Sequence, residues 1–182
     1  ASALRLYQML LDEADYQQHL LTGLWGAMQS ACKTNNPSLT IHYSKRLIAS
    51  EKAGDKEKLE AWLLLARSHL QLNQTAEAAT AFHKVLELSK GEPAAEANYR
   101  LAQMSMTNNR PDEAEKRCMA VINQIPAYDF WVGKSFILIA SIYASRDDYF
   151  QAKATLQSVI DNSNNPEVAA EAKKKLLEIE QK

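Results

Sequence analysis

Residues 77–86 read EAATAFHKVL, residues 113–122 read EAEKRCMAVI and residues 151–160 read QAKATLQSVI. The three stretches share one template. Alanine holds the second place (Ala78, Ala114, Ala152), and a second column follows four residues on (Phe82, Cys118, Leu156). An aliphatic pair stands three further along: Val85-Leu86, Val121-Ile122 and Val159-Ile160. The offset is 36 from Ala78 to Ala114 and 38 from Ala114 to Ala152, and every column keeps it. Residues at i, i+4 and i+7 fall on one face of an α-helix. Such a face, returning at a near-constant period, marks a repeat protein whose units are each too small to bury a core alone.

Working outward, a second set of columns lies upstream in AWLLLARSHLQLN (61–73), ANYRLAQMSMTNN (97–109) and SFILIASIYASRD (135–147). They share Leu65-Ala66, Leu101-Ala102 and Ile139-Ala140, with His69, Ser105 and Tyr143 three residues on. Each unit therefore reads as two amphipathic helices joined by a short polar turn, at 73–74, 108–111 and 146–148. Leu47-Ile48 and Leu10-Leu11 carry the second-helix register back to the start of the chain. AAEAKKKLL (169–177) parallels AAEANYRLA (94–102) at an offset of 75, as a first helix with no second after it. The spacing predicts an all-α fold of about ten antiparallel helices in one repeat domain over 1–182. Residues 1–17 are the second helix of a truncated repeat. Four repeats follow, at 18–55 (degenerate), 56–91, 92–127 and 128–164, and 165–182 is a capping helix. On this register the sequence is expected to be a fragment of a longer array, cut at its N-terminal side. Lys173, Lys174 and Lys175 give the cap a solvated face.

Composition narrows the function. Apolar residues make up 46% and charged residues 24%, as in ordinary folded domains. Lys and Arg (21) are balanced by Asp and Glu (22), so the cationic surplus that neutralises phosphates is missing and nucleic acid is not expected as a partner. No run approaches the ~18 apolar residues of a spanning helix, so direct membrane insertion is not expected. His19, His42, His69 and His83 include no i, i+4 pair that would hold a metal. Phosphate loops, nucleophile elbows and Cys/His pairs are missing from the sequence, so neither an enzyme nor a cofactor is expected. Asp112-Glu113 and Asp147-Asp148 open second helices, where acidic groups suit the positive end of the dipole. Cys118 lies beside Lys116 and Arg117, which would activate a thiol on the same face. Its column with Phe82 and Leu156 instead marks it as a buried core residue.

The motif residues are Trp62, Leu65, Ala66, His69, Ala78, Phe82 and Val85 in repeat two, from Leu59. In repeat four, from Gly133, they are Phe136, Ile139, Ala140, Tyr143, Ala152, Leu156 and Val159. Repeat three, from Ala95, keeps Leu101, Ala102, Ala114, Val121 and Pro126 but carries Asn98 and Cys118 at its aromatic places. This pattern resembles the tetratricopeptide repeat (TPR) family. The resemblance implies an α-α superhelix, a TPR-like solenoid, whose first helices line a concave face. The segment from Phe130-Trp131 through the last repeat also resembles the terminal repeats of large bacterial envelope-associated tetratricopeptide proteins. That looser likeness implies the cell envelope or periplasm.

In the family, positions 2, 5, 9 and 12 of each repeat point into the groove. Position by position, this implies partner-binding candidates Trp25, Gln29 and Cys32 in repeat one and Leu63, Arg67 and Leu70 in repeat two. Repeat three offers Tyr99, Gln103 and Met106, and repeat four Ile137, Ser141 and Ala144. Two arrangements fit: an open groove, or first helices wound tightly enough to fill it with these side chains. Tyr128, Phe130 and Trp131, in PAYDFWVGK (126–134), form either an exposed aromatic contact or a packed start to a long first helix. The expected function is a non-catalytic scaffold holding a peptide or protein. The alternative is a structural spacer or self-assembly module, with contacts to further N-terminal repeats.

Overall fold

The structure, a computed structural model, describes residues 2–12 and 17–181. The boundary expected near residue 17 adjoins residues 13–16, which lie outside the described residues. The described residues form ten α-helices and no strand, as the periodicity predicts. They fall into two compact units, 1–89 and 90–182. The first unit holds α1 (Ser2–Asp12), α2 (Gln17–Lys33), α3 (Pro37–Ala49), α4 (Asp55–Gln71) and α5 (Thr75–Leu88). The second holds α6 (Glu92–Thr107), α7 (Pro111–Ile122), α8 (Asp129–Ser145), α9 (Tyr149–Asn162) and α10 (Pro166–Glu180). Within each unit, successive helices pack on one another.

The small residues of the template set this packing. Ala66, Ala102 and Ala140 on first helices, and Ala78, Ala114 and Ala152 on second helices, are all fully buried. A methyl side chain lets two helix backbones approach closely, and a larger residue there would hold them apart. Phe82, Cys118 and Leu156 are likewise fully buried, so the second-helix column is one continuous core position with three fillings. Burial pushes the Cys118 thiol up from its ordinary 9.0 to about 12, with the charge of Glu115 adding to the effect. The neighbouring Arg117 turns aside to pair with Glu113 at 3.3 Å.

The turns inside each repeat are more uniform than their sequences suggest. Asn35, Asn73, Asn109 and Asp147 all take positive φ, between 52° and 61°. Their spacings of 38, 36 and 38 match the helix columns. At each, the next amide donates to the carbonyl five residues back: Asn36 to Ala31, Gln74 to His69, Arg110 to Ser105 and Asp148 to Tyr143. The positive-φ residue itself donates to the carbonyl three back, as Asn73 does to Leu70. These paired bonds are the Schellman ending, which satisfies carbonyls the helix leaves open. Asparagine and aspartate tolerate the left-handed region better than other side chains. Side-chain caps then start several following helices. Asn36 accepts from Leu39, Asp148 from Gln151, and Asn165 from Glu167 and Val168.

Gly133 fixes one close approach. A Cβ built there would lie 2.5 Å from Cγ1 of Val168, a fully buried residue of α10. Only glycine lets α10 settle this tightly on α8.

Candidate functional site

The first-type helices of the second unit, α6, α8 and α10, surround a cavity of about 400 Å³. Four of the sequence-derived candidates meet there: Tyr99 and Gln103 from α6, and Ile137 and Ser141 from α8. Leu138 joins them, and α10 supplies Glu171, Lys174, Lys175 and Glu178. Reading the cap as a solvated end leaves these α10 residues out of the candidate set. The repeat register contains the signal. Carrying Ala95 forward by 75 starts a repeat at Ala170, whose positions 2, 5 and 9 are Glu171, Lys174 and Glu178.

A polar chain runs along the wall. Arg100 Nη1 donates to Gln103 Oε1 at 3.1 Å, and Gln103 Nε2 donates to the Tyr99 hydroxyl oxygen at 3.0 Å. The Tyr99 oxygen thus accepts from Gln103, leaving its own proton to donate elsewhere. Burial, together with the charge of Glu171, pushes the Tyr99 phenol up to about 12, so it stays neutral. The acidic residues facing the cavity are matched within the unit. Glu171 pairs with Lys134, and Glu178 with Lys175 at 3.1 Å. Lys174 makes no ion pair or hydrogen bond among the described residues, which leaves it as the wall's uncommitted charge. The wall holds hydrogen-bond donors, an apolar floor and a free cation, but no nucleophile with an adjacent base.

The remaining candidates lie elsewhere. Trp131 is buried, 5.7 Å from the Tyr99 ring and edge-on to Phe130 at 4.8 Å, in a cluster with Ala95 and Val121. The Arg100 guanidinium lies 5.8 Å from the Tyr99 ring and 5.9 Å from the Trp131 ring. Tyr128 packs half-buried against the same cluster. Of the two arrangements open for PAYDFWVGK, the structure has the packed one. Its physical reason is that Ala95 and Val121 leave room for the indole between α6 and α7. Met106 packs on the cluster around Cys118, and Ala144 on that around Leu156.

In the first unit, Trp25 packs half-buried on the core of α2, α3 and α4. Gln29 donates to Glu60, a position-2 residue that joins α2 to α4. Leu63 and Leu70 are half-buried, and Arg67 and Cys32 are exposed. Among the described residues no cluster of three or more His, Cys, Asp or Glu could hold a metal, and no helix is long and apolar enough to cross a membrane.

Comparison with known proteins bears on the fold. A tetratricopeptide-repeat family model matches residues 60–89 and 134–163. No curated protein sequence matches significantly. Among solved structures, YrrB, described as a TPR protein with an unusual peptide-binding site, superposes with a TM-score of 0.69 at 19% identity. The match covers 95% of this chain and 82% of that one. BtubC from P. vanneervenii gives 0.71 at 13% identity over 99% and 80%. MamA gives 0.66 at 15% identity over 98% and 90%. At these identities the likeness is one of fold. With the template in register, the model matches two tetratricopeptide repeats, at 60–89 and 134–163, and the whole chain shares the fold of tetratricopeptide-repeat solenoids.

Proposed function

We propose that the chain is a non-catalytic interaction scaffold, and that the cavity among α6, α8 and α10 holds an extended segment of a partner protein. The observation that carries this reading is the convergence of four position-5 and position-9 residues, Tyr99, Gln103, Ile137 and Ser141, on one cavity together with Lys174. The partner's backbone would meet Gln103 and Tyr99, an apolar side chain would rest on Ile137 and Leu138, and an acidic group would meet Lys174. The fold likeness to YrrB, a TPR protein with an unusual peptide-binding site, supports a peptide as the occupant class.

The test uses the full chain as bait, with Ser141→Trp to fill the cavity and Lys174→Glu to reverse its free charge. Both positions are at least partly exposed, so the fold should persist in circular dichroism. Loss of the same captured protein in both variants is expected. Undiminished capture by both would overturn the site.

A further inference from the structure

A second cleft lies on another face of α8, and its lining shares no residue with the first. It is larger, about 540 Å³, and sits between the start of α8, the end of α9 and the turn into α10. Repeat three shows why it is open. There Gln124, at the end of α7, donates to the carbonyls of Lys90 at 2.9 Å and Gly91 at 3.0 Å, tying that end to the start of α6. The residue 38 further on is Asn162, one methylene shorter. Its amide turns back to the Ser158 carbonyl at 2.8 Å. Lys116 and Arg117 become Ala154 and Thr155 by the same offset. Across the cleft, Ala94 and Asn98 become Val132 and Phe136. Repeat four has therefore lost the long side chains over this cleft and gained an apolar floor.

Among the side chains of the lining, charge has one sign, and it sits in the first turn of α8. Asp129 is the only ionisable residue in the lining, and it makes no ion pair among the described residues. α9 ends at the same rim without a basic residue in its last turn, so no cationic side chain of its own offsets the negative end of its dipole. Asn162 and Asn164 add amide oxygens.

We propose that this cleft is a second binding site, and that it takes an arginine side chain of a partner protein. The aliphatic stem lies on Val132 and Phe136. The guanidinium meets Asp129 and the carbonyl end of α9. Arginine suits this rim because its planar head carries five donors, which can serve several acceptors at once, and it is weakly hydrated. The site is independent of the concave cavity, so a partner could engage either or both.

The test is methyl and amide NMR of the full chain, titrated with acetyl-Leu-Arg-Leu-amide and with its neutral citrulline isostere. The arginine probe should shift Val132, Thr155 and Val159 saturably, with millimolar affinity, while the signals of Gln103 and Ser141 stay still. The citrulline probe should bind about tenfold more weakly, reflecting the loss of charge-assisted contacts. Asp129→Asn should narrow the gap between the two probes, leaving only the preference set by the carbonyl end of α9. Ala154→Lys with Asn162→Gln, which restores the residues of repeat three, should abolish binding of both. All three positions are exposed, so these variants should keep the fold. No saturable shift at Val132 and Val159, equal binding of both probes by the unaltered chain, or shifts confined to the concave cavity would each overturn the proposal.

Discussion

Cys118 occupies the middle of α7 with none of its surface exposed, and its chemistry follows from that position. The thiolate is the reactive form, and a thiol whose pKa has risen to about 12 has almost none of it at neutral pH. Labelling by a thiol reagent in the folded state should be slow at Cys118 and fast at the exposed Cys32. Mass spectrometry of the two peptides after a short exposure reads the difference. Rapid modification of Cys118 would contradict its burial. The same residue sets a pH dependence. Below pH 9.0 both folded and unfolded chains hold the proton. Above it the unfolded chain releases the proton while the folded chain keeps it until about 12, so stability falls as pH rises through that window. The slope contributed by one such group is about 1.4 kcal/mol per pH unit. Tyr99 acts in the same direction between 10.0 and about 12. Cys118→Ala should cost about 1 kcal/mol at neutral pH through the lost sulfur packing, yet its alkaline loss should be shallower by one group's slope. Urea denaturation across that window separates the two effects.

At the scale of the element, the left-handed turns and the approach of α10 to α8 limit which residues each position accepts. An alanine at Asn73 or Asn109 must place a Cβ in the left-handed region without the local hydrogen bonding that asparagine offers. It should cost about 1 kcal/mol, whereas glycine at the same place should be neutral or better. Equilibrium unfolding of the two substitutions checks this, and equal cost would mean that handedness is not what the position selects. Gly133→Ala should cost about 1–3 kcal/mol, because Val168 is β-branched and buried and cannot swing aside. Adding Val168→Ala should recover part of that loss, and strict additivity of the two would show that they do not meet. The helices themselves were legible in the sequence, because Ala, a column residue and an aliphatic pair recur in register. The four left-handed endings were not, although Asn35, Asn73, Asn109 and Asp147 stand in the same register. Polar residues announce that a turn exists, but φ is set by backbone bonds to carbonyls that periodicity does not name.

At the scale of the whole molecule, Tyr99, Gln103, Ile137 and Ser141 were legible from the repeat position, since a fixed place in a stacked helix pair fixes the direction of its side chain. Glu171, Lys174 and Glu178 were not, because a lysine run looks like a solvated face until the register is carried into the cap. Trp131 shows the opposite limit. Which aromatic rings are exposed depends on the holes left by Ala95 and Val121, and that is three-dimensional information. The apolar clusters around Trp131, Cys118 and Leu156 draw all their members from residues 90–182. Both cavities are also lined from within that span. Repeat arrays derive their stability from each unit and its immediate neighbour contacts, so a span that contains its own clusters should fold without the rest. The 90–182 segment alone should show a helical circular dichroism spectrum and one cooperative urea transition. Its m-value should be roughly half that of the whole chain, since m scales with the surface exposed on unfolding. It should also retain both probe responses. A broad, non-cooperative transition would mean that these clusters need the first unit to form.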